Sequence, residues 1–144
     1  QYRAEHLVYV YDAWHVGDPT SSDIGYLSDA VSSHWGQVVT WEFGTQIIYN
    51  EGNGAIFNQL ELIALTGSIE AGKDPKISTR YSTDGIRWSA DRYIFAGKLG
   101  TRAKQLIWRL MGMMKLWRIQ MFRGDSQAHL SFIRLEATIE PLHD

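Results

Sequence analysis

The side chains best suited to chemistry in this chain are five histidines, His6, His15, His34, His129 and His143, and their spacing gives them little to do. None falls in His-Glu-x-x-His or another close ligand spacing, so no metal site is expected. A Gly-x-Ser-x-Gly elbow and a Gly-rich loop ending in Lys-Ser or Lys-Thr are both missing, and Gly52-Asn53-Gly54 is a turn in its context. With no cysteine, thiolate ligands, disulfides and cysteine nucleophiles are excluded together, and the composition fits a protein made in reducing cytosol. Glycosidase carboxylates are defined by separation in space, and nothing in the sequence nominates a pair. The expectation is a protein that is not an enzyme and carries no cofactor.

Charge carries more information. Residues 1–75 hold ten acidic residues against Arg3 and Lys73, a balance of −8 inside a chain whose net charge is −2. From Arg92 to Gly124 the balance is +8, supplied by Arg92, Lys98, Arg102, Lys104, Arg109, Lys115, Arg118 and Arg123. Such asymmetry can steer a partner or hold neighbouring copies head to side, with duplex DNA as the competing ligand for the basic stretch. Solvated outer faces of strands would produce the same pattern with no partner at all.

The elements that must position these charges read as strands. Six Trp, seven Tyr and five Phe, spread along β-branched alternating runs, favour sheet over a helical bundle, and 144 residues with 44% hydrophobic content can build a real core. Residues 6–12 form an apolar run suited to a strand covered on both faces, followed by a turn-rich loop from Gly17 to Asp23 and a short partner around Ile24 to Leu27. The longest clean alternation runs from Val39 to Tyr49, with Val39, Trp41, Phe43, Thr45, Ile47 and Tyr49 on one face. A second strand covers Phe57 to Leu65, Thr66 to Pro75 is a loop, and Ile77, Thr79 and Tyr81 form one face of a third strand.

That third strand enters Ser82-Thr83-Asp84-Gly85-Ile86-Arg87-Trp88. Asp84 can accept hydrogen bonds from backbone two residues on, Gly85 tolerates positive φ, and Trp88 is expected to re-enter the core beyond the turn. A sialidase-type Asp box has a residue between its aspartate and glycine, whereas Asp84 and Gly85 are adjacent and the motif occurs once. The structural turn is therefore the preferred reading. Residues 104–123 carry apolar side chains at helical spacing, so a basic amphipathic helix competes with a hairpin of strands 105–111 and 116–123. Gly112 costs a helix about 1 kcal/mol, and the hairpin, with Leu106, Trp108, Leu110, Trp117, Ile119 and Met121 inward, suits the all-β context. A last strand alternates through Ile133, Leu135, Ala137 and Ile139, while Leu130 and Phe132 have the opposite parity, which predicts a bulge near Ile133. Trp41, Trp88, Trp108 and Trp117 are assigned to packing. Trp14 and Trp35, beside loops, are the candidate platforms for stacking on a sugar ring.

No stretch reaches the roughly 18 uninterrupted apolar residues of a membrane span, so a soluble product without a membrane partner is expected. The start at Gln1, inside strand-like sequence, suggests a piece of something longer with the missing part upstream.

Taken in order, His15-Val16-Gly17-Asp18, Ile24-Gly25-Tyr26-Leu27, Trp41-Glu42-Phe43, Leu60-Glu61-Leu62, the Ser82 to Trp88 motif, Trp108-Arg109-Leu110-Met111-Gly112 and the Trp117 to Arg123 strand resemble the C-terminal region of the packaged-DNA stabilisation proteins. These are the tail nozzle or hub proteins of short-tailed bacteriophages. The resemblance implies a structural virion protein of the tail that acts in head completion, assembles below the portal as a ring, usually a homohexamer, and helps keep packaged double-stranded DNA in the head. Its implied partners are further copies of itself and other tail and portal proteins. It further implies residues 1–30 as the end of an upstream β-propeller or a hairpin, residues 31–144 as a C-terminal antiparallel β-sandwich, and no catalytic residues. Met111-Gly112-Met113-Met114 departs from the more basic turn of the family. The rival class is a carbohydrate-binding β-sandwich module.

Overall fold

Tight turns between residues willing to adopt positive φ organise the first part of the chain. The computed structural model describes residues 3–69, 72–102 and 104–143. Strand β1 (Glu5–Val10) folds back on β2 (Ala13–Gly17) through Tyr11 and Asp12, both at positive φ (51° and 62°), as a two-residue type I′ hairpin requires. Strand β3 (Ile24–Tyr26) completes a three-stranded antiparallel meander. A second such turn at Trp35-Gly36 joins the short β4 (Ser33–His34) and β5 (Gln37–Val38). Leu7, Val8 and Tyr9 stay about half exposed, so neither face of β1 is covered as its apolar run predicts.

The chain divides into two compact units, Gln1–Val39 and Thr40–Asp144, whereas the sequence suggested a boundary between residues 30 and 31. The second unit is built from β6 (Thr40–Gly44), β7 (Ile48–Tyr49), β8 (Ala55–Ile69), β9 (Lys76–Ser82), β10 (Arg92–Phe95), β11 (Leu106–Arg109), β12 (Met113–Met114), β13 (Trp117–Asp125) and β14 (Ala128–Pro141). One sheet runs β10-β9-β13-β6, with β7 also on β13; the other places β11 and β12 along one side of β8 and β14 along the other. All pairings are antiparallel. The core between them holds Phe57, Leu60 and Leu62 from β8, Ile77 from β9, Leu106 and Trp108 from β11, and Phe122 from β13. This is the all-β, antiparallel sandwich that the alternating sequence predicts, and the described residues contain no helix.

Several local expectations change. The alternation from Val39 to Tyr49 breaks after Gly44 and resumes at Ile48, which packs against the core while Ile47 and Tyr49 face solvent. Its strands, β6 and β7, are short; the long ones are β8, which continues to Ile69 through part of the segment expected to be a loop, and β14. The bulge expected near Ile133 is present: the register with β8 slips between Phe132 and Arg134.

The 104–123 hairpin is replaced by another arrangement. Strands β11 and β12 are two parts of one interrupted strand beside β8, and β13 crosses to the other sheet. The interruption lies at Leu110, whose φ is +55°, and Gly112, whose φ is +80°. Backbone bonds from Leu110 N–H to the Asn58 carbonyl and from Phe57 N–H to the Gly112 carbonyl, both 2.8 Å, hold this bulge on β8. Leu110, assigned inward by parity, is 81% exposed, and Met111 takes its place in the core.

Candidate assembly surface and its support

The Ser82 to Trp88 segment forms the turn that its sequence suggests. Asp84 Oδ1 accepts the backbone N–H groups of Ile86 at 2.8 Å and Arg87 at 2.7 Å, and Ser82 Oγ accepts that of Gly85 at 2.9 Å. Donation from Arg87 and then Ile86 to the charged carboxylate holds the Asp84 pKa below its ordinary value. Gly85 sits at φ +76°, where a β-branched side chain is strained. Trp88 does not enter the core. It is half-buried, with the Arg80 guanidinium 4.9 Å from its ring centroid, so a cation covers a ring that parity alone placed inside.

The eight basic residues separate into different roles. Arg118 is fully buried and is not available to a partner, which removes it from the expected contact surface. Arg92 donates to the Leu110 carbonyl at 2.8 Å and so braces the bulge between β11 and β12. Arg123 donates to Glu42 Oε2 at 2.6 Å and lies 3.9 Å from Asp91. Lys98, Arg102, Lys104, Arg109 and Lys115 are exposed and form no ion pair among the described residues. Arg109 is paired in register with Gln59 midway along β8, Lys115 lies near Gly54 before its start, and the Lys98 to Lys104 loop docks at its far end. At about 3.3 Å per residue, the two ends of that series are on the order of 40 Å apart along the sheet. The basic stretch is therefore not one patch.

Arg118 organises the interior instead. Its Nε and Nη2 donate to Gln120 Oε1 at 3.0 and 2.7 Å, and its Nη1 donates to the Met111 carbonyl at 2.6 Å. The guanidinium carbon lies 4.2 Å from the Phe57 ring centroid and 3.9 Å from that of Tyr81. Gln120 in turn donates to Thr79 Oγ1, which donates to the Met121 carbonyl at 2.8 Å. Burial pushes the Arg118 pKa down to about 10, with Tyr81 acting in the opposite direction, so the group stays charged at neutral pH. The inward face of β13 is Arg118, Gln120, Phe122 and Gly124, the reverse of the parity that put Trp117, Ile119 and Met121 inside. Sequence reading missed this cluster because Trp117, Ile119 and Met121 make the other face of the strand the more apolar one, and no acidic residue marks the arginine as paired.

A second anchor lies in the first unit. The Asp18 side chain is inaccessible to solvent and is held by Arg3, the Thr20 backbone N–H and hydroxyl, and the Ser21 hydroxyl. Burial opposes its charge, but the bonds from Thr20, Arg3 and Ser21 outweigh that and keep the carboxyl far below the usual range. Asp-x-Thr-Ser was a legible signal for such a turn. The candidate sugar platforms fare unequally. Trp35 is half-buried and lies under the Arg3 guanidinium at 5.5 Å, while Trp14 is 48% exposed with Tyr9 edge-on to it at 5.2 Å. Among the described residues no group of His, Asp and Glu side chains converges as metal ligands, and no helix is long and apolar enough to cross a membrane.

What the second unit presents is a two-sheet antiparallel sandwich with charged loops. Residues 40–140 match the family described as bacteriophage P22 Gp10, β-sandwich, and the chain belongs to that family. The match begins where the second compact unit begins. No curated protein matches the chain. The resemblance drawn from the motif series is thus shown, and with it a structural protein of the phage tail.

Proposed function

We propose that the protein is a tail nozzle or hub component of a short-tailed phage, which assembles as a ring of six copies below the portal and helps retain packaged DNA in the head. The observation that carries this reading is the family match over residues 40–140. The architecture supports it: buried polar groups hold each unit together, Arg118 and Gln120 in the sandwich and Asp18 in the first unit, while charged loops lie at the surface. In a ring each copy offers two different surfaces, and a chain with an acidic first half and a basic later stretch has both. Its partners are then other copies, the portal and other tail proteins, and its location is the virion tail, after synthesis in the host cytoplasm.

The direct test is a phage in which the gene for this protein is disabled. Heads that fill and then lose their DNA, with the protein found in the tail of intact virions, are the expected result. Stable filled heads without the protein, or retention of the purified protein on a glycan array that disappears on Trp14→Ala, would replace this reading with the carbohydrate-binding one.

A further inference from the structure

Of the basic residues that are free to meet a partner, one group is preorganised. The loop between β10 and β11 carries Lys98, Arg102 and Lys104, and it is fixed to the end of β8 by two hydrogen bonds, with a third closing the loop on itself. Gly100 N–H donates to the Gly67 carbonyl at 3.1 Å, Thr66 Oγ1 donates to the Thr101 carbonyl at 2.6 Å, and Thr101 N–H donates to the Lys98 carbonyl at 3.0 Å. The Ala96 N–H donates to the Pro75 carbonyl at 2.9 Å, which ties the same loop to the segment carrying Lys73. Lys73, Asp74, Lys98, Leu99 and Gly72 line a shallow cleft of about 320 Å³ between the two. The sandwich thus ends in a braced tip with four exposed cations and, among the described residues, one carboxylate lining the cleft, Asp74.

The first unit has the complementary surface. Its acids are Glu5, Asp12, Asp18, Asp23 and Asp29, and its one Lys or Arg is Arg3. Arg3 is committed to Asp18, so Glu5, Asp12, Asp23 and Asp29 are exposed with no cation of their own unit left to neutralise them. A first unit of net −4 and a second of net +2 whose tip is basic suit a contact that joins unlike surfaces of successive copies.

We infer that the basic tip formed by Lys73, Lys98, Arg102 and Lys104 docks on the acidic first unit of a second copy, as the contact that propagates assembly. This rests on the ring reading above and specifies its surface. A polyanion such as duplex DNA is the competing occupant, disfavoured because the chain as a whole is net negative at −2 while one of its own units complements the tip.

The test is sedimentation of the full chain across a salt series, for the wild type, for Lys98→Glu/Lys104→Glu and for Asp23→Lys/Asp29→Lys, with circular dichroism to confirm that each variant is folded. Wild-type self-association should weaken as salt rises, and each variant should self-associate at least tenfold more weakly at low salt. Mixing the two variants should restore association, because each then meets a surface of opposite sign. Assembly that is unchanged in both variants would overturn this surface assignment and leave the ring reading standing. Absence of wild-type assembly at any ionic strength would overturn both. Steeply salt-dependent binding of duplex DNA, lost in the tip variant while assembly persists, would assign the tip to DNA instead.

Discussion

The two sheets of the sandwich meet in one core but contribute unlike material to it. From β8 and β11 come Phe57, Leu60, Leu62, Leu106 and Trp108, while the facing stretch of β13 contributes a buried arginine and glutamine before Phe122. Burying hydrocarbon is favourable wherever it packs, so the first contribution is tolerant of detail. A buried cation without a carboxylate partner is different: it is held only while Gln120, the Met111 carbonyl and two aromatic rings all remain in place. The bulge that positions Met111 and the strand that positions Gln120 belong to different sheets, so Arg118 couples them.

Truncating each side should expose this difference. Arg118→Ala is expected to cost about 4 kcal/mol, since Gln120 and the Met111 carbonyl lose their partner in a dry site. Arg118→Met, which fills the space without a charge, should cost clearly less. Urea unfolding measures both, and an Arg118→Ala loss under about 1 kcal/mol would show that the network is incidental. Leu60→Ala, on the hydrocarbon side, should cost about 3 kcal/mol through its cavity alone, with no change in the environment of Tyr81.

Gly112→Ala tests the junction. A Cβ there would lie 2.6 Å from Tyr81 Oη, and the backbone is at φ +80°, so about 2 kcal/mol of destabilisation is expected together with a shifted Tyr81 signal. An unchanged melting midpoint would separate the bulge from the arginine site.

The fold class was legible because alternation over Lys76 to Ser82 and the β14 segment directly reports half-buried strands, and Phe57 to Leu65 is an apolar run of strand length. The bulge at Ile133 was legible too, since a parity change within one apolar run has few other causes. Periodicity failed at β13, where the buried face is partly polar, and at Trp88, where a cation rather than the core covers the ring. It also failed to distinguish a hairpin from an interrupted strand at 106–114, because that choice depends on the partner, β8, and not on the local pattern. The basic stretch was correctly seen as basic, but burial and hydrogen bonding decide which of its members face outward.

The smallest effects belong to the surface turn. Gly85→Val should destabilise by about 1 kcal/mol, read as a lowered melting temperature, because the φ of +76° is strained for a β-branched residue. The Asp84 pKa is lowered in the folded protein, so its contribution is present above the ordinary value of 3.8 and lost as pH falls through the folded value. Acid titration of wild type against Asp84→Asn should show the two melting curves converge only below that ordinary value. Convergence already near neutral pH would contradict the role of the carboxylate in the turn.

The most direct test of the structural role is electron microscopy of the purified protein at low ionic strength. Closed rings with sixfold class averages, lost when the charges of the Lys98 loop are reversed, are predicted; a uniform population of single copies under the same conditions would contradict it.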